Sequence, residues 1–291
     1  MTYPLCLLLL ASALGVSAPL SALAQETTPS VEPDPVKPGT PVRHAYLSEP
    51  LSNTDLITGP PPISGSAAFA ADLVAYWSTR GLKGSSRWAL ATKDGARGAA
   101  AMLDDFACAL GRRLDPAVVP RLMTLFDRVH FDVEDATRGL KDRYRRTRPH
   151  VDNDAPLCVE RDPRVPNTFS YPSSHATLGW TLALTLASLV PERATGVLAR
   201  GRVYGESRVV CGLHWRSDVE AGRTIGAALF AALGSNAVFR ADLDAARAEL
   251  HQALAASETK PDAEACEVEA AAARTPVLDR TQRVSSDTGA E

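Results

Sequence analysis

Zinc-ligand spacings are missing from this chain. Its six histidines and five cysteines are scattered over 291 residues, with no C-x2-C or H-x3-H pair, so no metal cofactor is indicated. Positive charge is not in excess either. Lys and Arg number 31 against 34 Asp and Glu, a net charge of −3, which argues against a nucleic-acid-binding surface. No alternating apolar and polar run competes with the helical pattern, and no internal repeat is present. Two apolar stretches, 176–190 and 224–233, are too short or too rich in small residues to span a membrane alone. They fit the buried helices of a bundle.

The first 24 residues carry no charged side chain, and Ala22-Leu23-Ala24 before Gln25 has the small-x-small form of a cleavage site. Residues 1–24 therefore read as a cleaved secretory signal. The absence of Lys or Arg ahead of the apolar core leaves a retained anchor as the alternative. Residues 25–44, rich in Pro, Thr and Val, read as a flexible segment. Apolar residues then recur at helical spacing over 67–81, 98–111, 117–146, 173–190, 193–210, 215–236 and 239–254. The expectation is one all-α domain over 45–256. Past Ser257 the composition turns to Ala, Glu, Thr and Ser, so 257–291 reads as a disordered tail. Once Cys6 leaves with the signal, Cys108, Cys158, Cys211 and Cys266 remain. An even number in an exported chain suggests disulfides, with three possible pairings.

Three blocks carry the chemistry. They are Lys141-x6-Arg148-Pro149, Pro172-Ser173-Ser174-His175 and Ser207-Arg208-x5-His214-x3-Asp218. A phosphate monoester carries up to two negative charges, and its transition state spreads charge over the equatorial oxygens. Without a metal, side-chain cations and backbone N–H groups must hold those oxygens. Arg148 and Arg208 offer planar forks, and Lys141 a compact charge. His214 and Asp218 are four residues apart, which on one helix face lets the carboxylate fix the imidazole tautomer. Such a ring is a competent nucleophile. His175 can then protonate the leaving alkoxide and later activate water. An acid that must start protonated favours an acidic working pH. Ser173 is a good N-cap ahead of an apolar helix, and the backbone of Ser173 and Ser174 can complete a phosphate site at the helix N-terminus.

Each residue alone has a plainer reading. Lys141 and Arg148 fit a solvated basic helix face, His175 a satisfied buried histidine, and Arg208 with Asp218 an ordinary ion pair. Their joint occurrence, in order and within eighty residues, is what favours a site.

The segments SYPSSHAT and GESRVVCGLHWRSDVEAGR, with LITGPPPISGSAAFAADL and SSRWALATKDGA upstream, resemble the bacterial class A non-specific acid phosphatases. These are the soluble branch of the superfamily that also holds type-2 phosphatidic acid phosphatases and vanadium haloperoxidases. The resemblance spans roughly 45–250 and implies a helical bundle that needs no cofactor. It implies phosphate binding by Lys141, Arg148, Ser173 and Arg208. It implies His214 as nucleophile, His175 as acid and Asp218 as the partner of His214. Small phosphomonoesters would be the substrates, neither nucleic acid nor membrane a partner of the mature chain, and the protein a homo-oligomer in the periplasm or medium. It also favours a Cys158–Cys211 bridge, which leaves Cys108 with Cys266. One departure is Ser174, where the family has glycine. At positive φ a serine there would be strained by about 1 kcal/mol; at negative φ it adds a hydroxyl near the phosphate. His150 reads as an exposed loop residue that could instead line the cleft. The alternatives to an acid phosphatase are a vanadate-dependent haloperoxidase and a phosphate-binding protein that does not turn over.

Overall fold

Polar residues stand where the apolar periodicity begins, and they start the helices. Ser66, Ser85, Ser173, Asn236 and Asp262 each accept a first-turn N–H through the side chain. Caps of this kind are worth about 1 kcal/mol each. The computed structural model describes residues 45–151, 153–161 and 168–278, and among them the regular structure is helical with no strand. The order is α1 (Asp55–Thr58), α2 (Ala67–Arg80), α3 (Ser86–Lys93), α4 (Ala99–Asp105), α5 (Ala107–Leu110) and α6 (Pro120–Tyr144). There follow α7 (Ser174–Leu189), α8 (Ala194–Val210), α9 (Arg216–Leu233), α10 (Ala237–Ala256) and α11 (Ala263–Arg274). The all-α expectation therefore holds. One expected helix is broken: 98–111 is interrupted at Phe106, which sits fully buried at φ −95° and ψ 2°.

Helix α7 is the axis of the domain. It is apolar nearly all round, the pattern of a helix buried on every side. Leu178, Leu182 and Leu186 pack into one core with Leu122, Leu125 and Val129 of α6 and with Ile225 and Leu229 of α9. Its buried threonines are satisfied within the helix: Thr177, Thr181 and Thr185 donate to the carbonyls four residues back, at 3.0, 2.9 and 2.8 Å. Helix α9 approaches the start of α7 closely. A Cβ on Gly222 would lie 2.7 Å from the Ser173 carbonyl oxygen, so only glycine allows the contact. Gly212, at φ +78°, makes the turn between α8 and His214.

Both disulfides are formed as the resemblance implied, Cys158 with Cys211 and Cys108 with Cys266, at Cα separations of 4.6 and 5.4 Å. The second corrects the reading of 257–291 as a disordered tail. Ala and Glu are strong helix formers, and Ala263–Arg274 forms α11 behind the Asp262 cap. That helix is tied by Cys266, sends Glu269 to Arg200 at 3.2 Å, and is followed by buried Val277 and Leu278. The expected signal at 1–24, the flexible segment 25–44 and the final residues 279–291 lie outside the described residues. Among the described residues no single helix is long and apolar enough to cross a membrane.

Candidate active site

The three sequence blocks converge on one cleft of about 890 Å³, lined by Lys141, Arg148, Ser174, His175, Arg208 and His214. They arrive from the end of α6 and the loop after it, the first turn of α7, the last turn of α8 and the turn before α9.

Arg208 stands at the floor. It is buried, and its Nε and Nη1 have no hydrogen-bond partner among the described residues. Burial pushes it down to about 10, so it stays cationic across the working range. Arg148 is better held. Its Nε donates to the Thr168 carbonyl at 3.2 Å and hydroxyl at 3.1 Å, and Nη1 donates to the Leu213 carbonyl at 2.8 Å. Lys141 Nζ donates to the carbonyls of Pro172 at 2.6 Å and Phe169 at 3.1 Å. Burial, with Arg148 adding to it, pushes Lys141 down to about 7.

The tautomer of His214 follows from its neighbours. Arg148 Nη1 lies 2.9 Å from His214 Nε2, and a guanidinium can only donate. Nε2 therefore carries the lone pair, and the proton sits on Nδ1, 3.4 Å from Asp218 Oδ2. The two do not share a helix face, as the sequence suggested. His214 lies before α9, and Asp218 is at its third position, reaching back to accept the Trp215 N–H at 2.8 Å. A carboxylate there also meets the positive end of the helix dipole. Burial, then the cations Arg148, Lys141 and Arg208, hold the His214 imidazole well below its usual range, so the ring is neutral.

At the start of α7, Ser173 is fully buried. Its hydroxyl accepts from Ala176 at 3.3 Å, and its N–H donates to the Asp218 carbonyl at 3.0 Å. Its N–H is thus not available to a phosphate, contrary to the sequence reading. The N–H groups of Ser174 and His175 lie in the first turn, where no intrahelical acceptor exists. Positive φ among non-glycine described residues occurs at Asn53 and Arg145, not at Ser174. The feared strain is therefore absent. The Ser174 hydroxyl is 2.8 Å from that of Thr137 on α6. His175 donates from Nε2 to the Gly95 carbonyl at 3.1 Å, and its ring stacks on Tyr204. Burial first, then Arg208 and Arg97, push it well below its usual range. His150 is buried against the Gly212 carbonyl at 3.2 Å and lines the cleft, which overturns its reading as an exposed loop residue.

Three contributors were not singled out from sequence. Arg146 Nη1 donates to Asp218 Oδ1 at 2.6 Å and Nη2 to Asp72 Oδ2 at 2.6 Å. Asp72 also accepts the Ser217 N–H at 2.8 Å and hydroxyl at 2.7 Å. Burial pushes Asp218 up, and Arg146 opposes it. The signal for Asp72 was there: it is a charge on the stripe Asp72, Ala75, Tyr76 and Thr79 that α2 buries. The third is Glu134, also on the cleft wall, which His130 and Arg97 hold down to about 2. Among the described residues no group of His, Cys, Asp and Glu is arranged to hold a metal ion.

Replacing Arg146 by Met should destabilise the fold by about 3–5 kcal/mol at pH 7, because two buried carboxylates lose their shared cation. Asp218, already pushed up by burial, would then fold protonated. Its folded value would exceed its unfolded one, so the deficit shrinks as pH falls. Urea unfolding at pH 7 and pH 4.5 measures this; an equal deficit at both would contradict it.

Residues 129–240 match the PAP2 superfamily. An acid phosphatase of Zymomonas mobilis is 40% identical over 272 residues, 92% of this chain and 97% of that protein. A non-specific acid phosphatase of Salmonella typhimurium is 35% identical over 72% of this chain and 85% of its own length. One from Providencia stuartii is 35% identical over 65% of this chain and 77% of its own. Likeness over nearly the whole chain, with the three blocks meeting in one cleft, places the protein among the class A type of acid phosphatases in the PAP2 superfamily.

Proposed function

We propose that this is an exported acid phosphatase that hydrolyses phosphate monoesters without a metal, through a phosphohistidine at His214. The observation that carries the reading is the placement of His214: its Nε2 faces Arg148 in the cleft and its Nδ1 faces Asp218.

In the first step Nε2 attacks phosphorus as the P–O bond to the leaving group breaks. The electron pair of that bond goes to the leaving oxygen, which takes a proton from His175. Asp218 stabilises the positive charge on the His214 ring. In the second step His175 takes a proton from water, and the resulting nucleophile breaks the P–N bond. Orthophosphate leaves, and the free ring is restored. Arg208, Arg148 and Lys141 do the work a divalent cation does elsewhere, balancing charge on the equatorial oxygens. Loss of one such donor slows turnover by about 10²–10³.

Burial first, and then the cations around it, disfavour the charged form of His175. A bound phosphate ester supplies negative charge among Arg208, Arg148 and Lys141 and offsets them. Protonation of the acid is thus coupled to substrate binding. Lys141 works the other way. Held down to about 7, it is charged below that pH and neutral above it, so affinity for an anion falls as pH rises through 7. Export is supported by the signal-like residues 1–24 and by two disulfides, which persist in oxidising compartments. Ser174 does not have positive φ, so backbone strain there gives no support to the binding-only alternative.

Hydrolysis of p-nitrophenyl phosphate with EDTA present should peak on the acid side, and kcat/KM should fall with an apparent pKa near 7. Loss of turnover on chelation would contradict metal independence. Rapid quenching with 32P-labelled substrate should trap a phosphoenzyme that disappears in His214→Ala. Label retained in that variant would move the nucleophile elsewhere.

A further inference from the structure

His175 reads above as the general acid, and its ring is aimed from outside the three blocks. Nε2 is tied to the Gly95 carbonyl at 3.1 Å. A carbonyl only accepts, so the proton lies on Nε2 and Nδ1 is left to carry the transferred one. The ring direction is thus set by where the Gly95 carbonyl stands. Gly95 directly follows Asp94, the cap residue of α3.

Asp94 is fully buried. Its Oδ1 accepts from Arg200 Nη2 at 2.5 Å, and its Oδ2 accepts from the Ser207 hydroxyl at 2.5 Å. On the other side of Gly95, the Tyr204 hydroxyl donates to the Ala96 carbonyl at 2.8 Å. These three anchors, Arg200, Tyr204 and Ser207, are spaced four and three residues apart on α8, so they share one face. Arg208 follows Ser207 on the same helix. Arg200 is gripped in turn by the Asp105 carbonyl at 2.8 Å and by Glu269 of α11 at 3.2 Å. Six residues, from α4, α8, α11 and the end of α3, thus fix the peptide that aims His175. A buried ion pair is a weak stabiliser by itself, whereas here its carboxylate belongs to the residue before Gly95, whose carbonyl holds the acid.

We infer that Asp94 is a positioning residue for phosphate-ester cleavage, holding the Gly95 carbonyl so that His175 delivers its proton to the leaving-group oxygen. The inference rests on the reading of His175 as the acid. Arg200 fixes the carboxylate, and Ser207 couples it to the helix that carries Arg208.

Leaving-group dependence separates this from a merely structural role. Nitrophenolate departs without a proton, whereas the alkoxide of glycerol 2-phosphate does not. The experiment compares kcat/KM for p-nitrophenyl phosphate and glycerol 2-phosphate in His175→Asn, Asp94→Asn and Ser207→Ala. His175→Asn should lose about a hundredfold more on the alkyl ester than on the aryl one, the lower range of acid catalysis. Asp94→Asn should lose about tenfold more on the alkyl ester, and Ser207→Ala should show a smaller selective loss. Ser207→Ala removes one contact to Asp94 and leaves the Arg200 pair, so it carries the test if Asp94→Asn does not fold. Equal losses on both esters in Asp94→Asn and Ser207→Ala, beside a selective loss in His175→Asn, would overturn the positioning role. Equal losses in His175→Asn would overturn the acid reading beneath it.

Discussion

Burying a guanidinium with two of its nitrogens unbonded costs several kcal/mol. Arg208 stands in that condition at the floor of the cleft, and the rest of the site is arranged around keeping it so. Among the described residues no carboxylate is paired to it. Arg148 beside it spends its donors on carbonyls, on Thr168 and on His214. Lys141 spends two on carbonyls. Carbonyl oxygens orient these cations without cancelling them. An anion entering the cleft meets all three cations at once, and because Arg208 is buried its charge acts strongly there.

The carboxylates that stand behind the two histidines are kept one layer back from the cleft. Asp218 meets Arg146, and Arg146 meets Asp72, on the far side of His214 from the cations. Asp94 meets Arg200 behind the loop that holds His175. Each histidine thus has an acidic group at its back and basic groups in front. This polarity gives the two rings different tasks. His214 has its lone pair toward the cations that will hold the phosphate. His175 has its fixed proton toward a carbonyl. The disulfide-tied α11 completes the second arrangement through Glu269.

How much of this could be read from sequence depends on distance along the chain. Lys141 with Arg148, and Ser207–Arg208 with His214 and Asp218, sit within short spans, so their spacing was legible, as was the helical pattern. Asp72, 74 residues from Arg146, and Asp94, 106 from Arg200, pair only once the helices pack, and nothing local marks the partner. Asp72 left a trace as a charge on a buried stripe, but a stripe does not say what neutralises it. The His214–Asp218 contact was foreseen for the wrong reason, because spacing alone does not distinguish a helix face from a helix start. The α11 segment was missed because Ala and Glu serve both a solvated tail and a packed helix. What decided it was one disulfide and Glu269, both long-range.

The most direct measurement compares thermal unfolding of the protein and of Arg208→Met, with and without orthophosphate. Ligand binding to the folded state alone raises stability by RT ln(1 + [L]/Kd). If Arg208 is buried to receive an anion, orthophosphate raises the Tm of the parent protein, while the variant gains little. Without phosphate the variant should be as stable as the parent or more so, since a buried unpaired charge has been replaced by an apolar chain of similar volume. A variant that is strongly destabilised yet gains as much from orthophosphate would show that Arg208 holds the fold together rather than the substrate.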